Sequence, residues 1–158
     1  MTELARIADQ LRRSFEGEAW HGPAVLELLA GLSVEQAQAR PIPGVHCVWE
    51  LALHLTGAYR LVLRRLEGDA SPLTAEEDWP ATPAPTAENW QTTLEWLKSL
   101  NMAIREKVLT FPAGRLDEPL VAGSPYTAHT QFIGLTQHDL YHAGQIALLK
   151  RALAERAS

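Results

Sequence analysis

The side chains of this sequence best suited to chemistry lie in two short stretches. In His138-Asp139-Leu140-Tyr141-His142 two imidazoles stand four residues apart. On a helix that spacing separates them by one turn and about 40°, so both can reach one ion. The stripe that carries them also holds Leu135, Ile146 and Leu149, so both rings are expected to face a core, where a buried imidazole needs a partner. The second stretch contributes His54, set among Leu51, Leu55, Ala58 and Leu61 where the helical period calls for an aliphatic side chain. Three inward histidines on two neighbouring helices, His54, His138 and His142, would form a tripod with a further coordination position open to water or substrate. Neutral nitrogen donors of this kind suit several divalent ions. Zinc or nickel is expected, with iron and manganese as alternatives. Such a cation acidifies a bound water or thiol, or polarises a carbonyl. A metal-free bundle with three hydrogen-bonded core histidines accounts for the same pattern.

Several neighbours have two readings each. Glu50 lies one turn before His54 and could accept its second ring proton, but a first-turn acid facing the helix dipole is the simpler role. Gln145, three residues after His142, could orient that ligand, contact substrate or bond across helices. Tyr59 could bring a hydroxyl to the pocket, although an aromatic core position explains it as well. His46 stands at the pocket mouth or serves as a surface residue at the helix start. Asp139 is expected to meet solvent rather than act as a base. His21 and His129 have no supporting pattern, and Cys47 has no thiolate-stabilising neighbour beyond the helix start.

The elements that must position these groups can be traced by period and punctuation. Leu4, Ile7, Ala8, Leu11 and Phe15 mark a helix over about 2–16 behind a Thr2 cap. Gly22-Pro23 starts a short helix that Gly31 stops, and Ser33-Val34-Glu35-Gln36 is a capping box for another turn or two. A long helix spans about 46–66 and closes at Gly68. Pro72, Pro80, Pro83 and Pro85 make the following link non-helical in part; it should cross the length of the fold, pinned by Trp79. Thr86 caps a third long helix ending near Phe111-Pro112. Residues 115–121 are expected to be extended, and a fourth long helix covers about 127–155. Four long helices without strand alternation imply an all-α four-helix bundle with long crossover connections, in which facing helices build the sites.

Composition narrows the function. The 158 residues, 46% apolar and 21% charged, are expected to form one domain over 1–158 with a core that needs no staples. A single cysteine suits a reducing compartment, and the amino terminus lacks the pattern of an export signal, so the cytoplasm is expected. The net charge of −5 and scattered basic pairs disfavour nucleic acid, and no apolar run approaches a membrane span. A zincin would need Glu where Asp139 stands, and a di-iron bundle would need two Glu-x-x-His pairs plus two more Glu, which this chain lacks. Haem ligation fits poorly, because an i, i+4 pair points to one small ion.

Trp49-Glu50-Leu51-Ala52-Leu53-His54 together with His138-Asp139-Leu140-Tyr141-His142-Ala143-Gly144-Gln145-Ile146 resembles the DinB-like (DinB/YfiT) superfamily of metal-binding four-helix bundles. Ala19-Trp20-His21-Gly22-Pro23 and Glu77-Asp78-Trp79-Pro80 look like one branch of it. The resemblance covers nearly the whole chain, and the block around His138 and His142 is its specific part. It implies a metal held by His54, His138 and His142, and frequent homodimers. It also implies a chemistry: some relatives join or isomerise small substrates with a low-molecular-weight thiol. The basic residue common after the last ligand is replaced by Ala143, so no particular thiol carries over. A metal-dependent hydrolase, or a non-catalytic stress-response or binding module in which the ion only fastens two helices, are the alternatives.

Overall fold

The computed structural model describes residues 1–156. Four long helices dominate it: α1 (Glu3–Phe15), α4 (Val48–Leu66), α6 (Ala87–Thr110) and α7 (Ala128–Arg156). Three short ones, α2 (Val25–Leu29), α3 (Val34–Gln38) and α5 (Ala75–Asp78), lie in the first two connections. Each long helix begins where a side chain can take the orphan N–H groups of its first turn. Thr2, Thr86 and Thr127 do this with their hydroxyls, and Glu50 reaches back to the Cys47 N–H at the head of α4. Gly68, with φ +87°, follows the last turn of α4, a conformation that favours glycine.

The long helices form a ring in which α4 touches α6 and α7, and α1 touches the same two. Trp49 meets Trp90 and Thr93 near the start of α6, while Glu67 pairs with Lys107 near its end, so α4 and α6 run parallel. Helices α4 and α7 are antiparallel: Arg65 bonds Gln131, whereas His54 meets the later His138. Two parallel neighbours require a return connection. The proline-rich link is that connection, running back along α4 so that α5 packs against the helix it left. One contiguous apolar cluster joins all four long helices, with Phe15, Trp49, Leu55, Leu97, Ile104, Phe132 and Ile146 almost fully enclosed.

Two expectations are corrected. Residues 113–115 form a single 3-10 turn, and 115–121 continue as turns with one isolated bridge, Pro119 to Thr127, instead of an extended segment. Gly114, Gly123 and Pro125 supply bends throughout, and no partner strand lies near among the described residues. Asp139, expected at the solvent, is 1% exposed. Its carboxylate accepts from the Tyr59 hydroxyl at 2.7 and 2.8 Å and from Ser14 Oγ at 2.9 Å, and Asn101 Nδ2 donates to the same Tyr59 oxygen at 3.1 Å. One polar group from each long helix therefore meets in the middle of the bundle. Burial raises the Asp139 carboxyl to about 7, against the pull of the Tyr59 and Ser14 donors.

Candidate metal centre

Helices α4 and α7 cross so that His54, His138 and His142 converge, with donor atoms within 4.8 Å of one another. His138 Nε2 lies 3.1 Å from His54 Nε2 and 3.1 Å from His142 Nε2. The other ring nitrogens decide what these contacts are. His54 Nδ1 donates to the Asp78 carbonyl at 2.7 Å, and His142 Nδ1 donates to Gln145 Oε1 at 2.7 Å. A neutral imidazole carries one N–H, so both of these rings present a bare lone pair at Nε2. His138 lies between them with its own Nδ1 buried and unpartnered. A proton on its Nε2 would satisfy one neighbour and leave the other facing nothing. Burial, reinforced by repulsion from His142 and His54, lowers the His138 pKa to about 4, so near neutrality its ring is uncharged. His142 is lowered as well, mainly by burial, with Gln145 opposing.

Three ring nitrogens this close, two of them with bare lone pairs, are a donor set that could hold a cation. Two nitrogens bound tetrahedrally at ~2.0–2.1 Å stand about 3.3 Å apart, close to the separations seen. Anchoring a ligand ring through its second nitrogen to a carbonyl is likewise the usual support of a metal-bound histidine.

The wall beside the tripod comes from the return connection. Trp79 is sandwiched between two imidazoles, its ring 3.9 Å from His54 at an interplanar angle of 4° and 3.7 Å from His46 at 12°. The stack fixes the plane of His54 while Asp78 fixes its tautomer. Helix α5 can come this close because of Gly57. A Cβ at that position would stand 2.7 Å from the Glu77 carbonyl oxygen. Glu77 in turn is gripped by Arg60 and Arg64.

The other sequence candidates separate clearly. Gln145 accepts from His142 Nδ1. His46 lines the mouth through its stack on Trp79. Glu50 does not reach His54: its carboxylate serves the Cys47 N–H, Arg40 and His46. Burial works against ionisation there, but Arg40 and the Cys47 N–H prevail and hold the carboxyl below its ordinary value. Tyr59 turns its hydroxyl to Asp139 and away from the pocket. Cys47 is buried, which pushes its thiol up, so it is no reactive thiolate.

A cavity of about 430 Å³ opens beside His142, with Trp79, His46, Ile42, Tyr141 and Gln145 among its walls and no charged side chain. That volume suits a small organic molecule.

Fold and site together define a helical bundle with an all-histidine tripod between two of its long helices. Residues 19–146 match the DinB superfamily, and the chain belongs to that superfamily. Among solved structures, a conserved protein from Enterococcus faecalis superposes with a TM-score of 0.73 at 18% identity, covering 98% of this chain and 99% of that one. At that identity the likeness speaks to the fold alone. No curated protein matches the chain. No helix among the described residues is long and apolar enough to cross a membrane.

Proposed function

We propose that His54, His138 and His142 hold a divalent cation, zinc or nickel, and that the chain is a metal-dependent enzyme transferring a low-molecular-weight thiol to a small apolar electrophile. The observation that supports this reading is the convergence of three imidazoles at the edge of a cavity, with His138 Nε2 3.1 Å from both of the others and all donor atoms within 4.8 Å. When bound, the cation would lower the pKa of a thiol or water beside it.

The residues of the chain favour the thiol. Hydrolysis needs a group that takes a proton from water, and the cavity wall offers only His46 for that, its ring engaged in the stack on Trp79. A thiol, ionising near 8.5, needs far less help. The apolar walls from Ile42, Leu51, Leu148 and Leu149 would hold the body of the electrophile and keep water out. Gln145, with its oxygen occupied by His142, has its amide N–H groups left to orient a substrate oxygen. A homodimer and a cytoplasmic site of action belong to the same proposal.

The test is metal content and turnover in parallel. Purified wild type should carry about one equivalent of metal, and His138→Ala with His142→Ala should carry almost none. Equal content in both would refute the site. Turnover of a chloronitrobenzene electrophile should require added thiol. Turnover with water alone would make the protein a hydrolase. A large fall in Tm on chelation, without turnover of any thiol or ester substrate, would make it a metal-fastened module.

A further inference from the structure

His142 borders the apolar cavity, but His138 lines a separate groove of about 340 Å³ between α4 and α7. Leu61, Val62 and Leu135 make much of its wall apolar, but it differs in its polar members. Arg65, Tyr126, Thr130, Gln131 and Gln137 line it together with His138, and no carboxylate does. That absence stands out in a chain with 19 acidic and 14 basic residues.

Arg65 is the unusual member. Most other arginines pair with a carboxylate, as Arg12, Arg40, Arg64 and Arg105 do. Arg65 makes one neutral hydrogen bond, from Nη1 to Gln131 Oε1 at 2.7 Å, and its Nε is buried with no partner. A half-buried guanidinium with unused donors is a site for a planar anion, which it can meet with two parallel bonds. Its position is matched to the tripod. Arg65 follows His54 by eleven residues, three turns, and so falls on nearly the same face of α4. Gln131, which holds it, precedes His138 by seven residues, roughly 10 Å along α7.

We infer that the α4/α7 groove binds a small carboxylate-bearing molecule, with Arg65 receiving the carboxylate and the other end, roughly 10 Å away, reaching His138. This rests in part on the proposed metal site and extends it. One ligand lies along this groove, with its carboxylate at Arg65, and the apolar partner occupies the cavity beside His142. The two openings share no lining residue and meet at the tripod through His142 and His138. Arg65 acts by binding and positioning and takes no part in bond making.

Two arms test the inference. In the first, metal-free protein labelled with nitrogen-15 is titrated with hexanoate and with hexanol while the Arg65 Nε–Hε resonance is followed. Hexanoate should move that resonance saturably and hexanol should not. No movement with hexanoate would overturn the inference, including the case in which a second copy of the chain covers the groove. In the second arm, cobalt-loaded protein is titrated with mercaptohexanoate and mercaptohexanol, and thiolate binding is read from the visible spectrum. The carboxylate should bind about tenfold more tightly, as a partly exposed charge-assisted bond allows. Arg65→Gln should make the two equal, and Arg65→Lys should keep part of the preference. Equal affinities in wild type, or a preference that survives Arg65→Gln, would overturn it. Failure of cobalt to bind would remove the metal reading while the hexanoate arm still decides the anion site.

Discussion

Gly57→Ala tests whether the close approach of α5 to α4 serves the tripod. In an open helical position the change should stabilise by about 0.5–1 kcal/mol, because alanine loses less backbone entropy than glycine. At Gly57 the added carbon would lie 2.7 Å from the Glu77 carbonyl oxygen and 3.5 Å from Asp78 Cα. Backbone must therefore shift, and overpacking of that kind costs about 1–3 kcal/mol. Gly134 and Gly144 on α7 are internal controls, since a Cβ there meets nothing within 4 Å. The controls should stabilise, whereas Gly57→Ala should fall about 1–3 kcal/mol below them. For a chain of this length that is a gap in Tm of roughly 3–10 °C. The more telling readout is metal affinity. Moving Glu77 and Asp78 withdraws the carbonyl that accepts from His54 Nδ1, and loss of such support typically costs 10–100-fold in affinity. Thermal melts with and without zinc, plus competitive zinc titration, measure both quantities. A Gly57→Ala protein as stable as Gly144→Ala, with wild-type zinc affinity, would refute the argument.

Tyr59→Phe should destabilise by about 2–3 kcal/mol, since it removes a hydrogen bond to a buried carboxylate and leaves Asn101 short of an acceptor; urea unfolding checks this, and a loss under ~1 kcal/mol would contradict the central brace. Glu77→Gln should lower zinc affinity a few-fold by loosening the Arg60 and Arg64 grip on α5. The Glu77 carboxyl lies below its ordinary value, chiefly through Arg64. Its contribution is thus present above the normal carboxylate range and is lost as pH falls through the lowered value. Melting curves from neutral to acid should show an acid-side loss in wild type that is smaller in Glu77→Gln.

The sequence makes the tripod and its scaffold readable for a physical reason. Three histidines interrupt apolar stripes of period 3.6, and any side chain on such a stripe must point inward. That the proline-rich link crosses the fold, pinned by Trp79, also follows from the spacing of Pro72 to Pro85; that Trp79 stacks on His54 does not. What surrounds the ligands is less legible. Asp139 looks like a surface acid because its burial depends on Ser14, Tyr59 and Asn101, distant in sequence and met only after packing. The partner of His54 is Asp78, through its backbone carbonyl at 2.7 Å with the carboxylate 3.2 Å away, and nothing in the spacing of the two residues advertises the contact. Gly57 reads as an ordinary helical glycine until α5 is laid across it. Arg65 resembles any basic residue in the last turn of a helix, and only the absence of acids around it gives it meaning.

The meeting of Ser14, Tyr59, Asn101 and Asp139 has a consequence for how such a site can diversify. Each long helix is keyed to the others at one shared point, next to His138 and independent of the segments 42–46, 79 and 126–130 that furnish walls of the two openings. Substitutions at 42–45 and 126–130 can thus reshape what is admitted while the nitrogens keep their places, whereas Trp79 is tied to His54 by its stack. The bundle behaves as a fixed chassis with exchangeable doors.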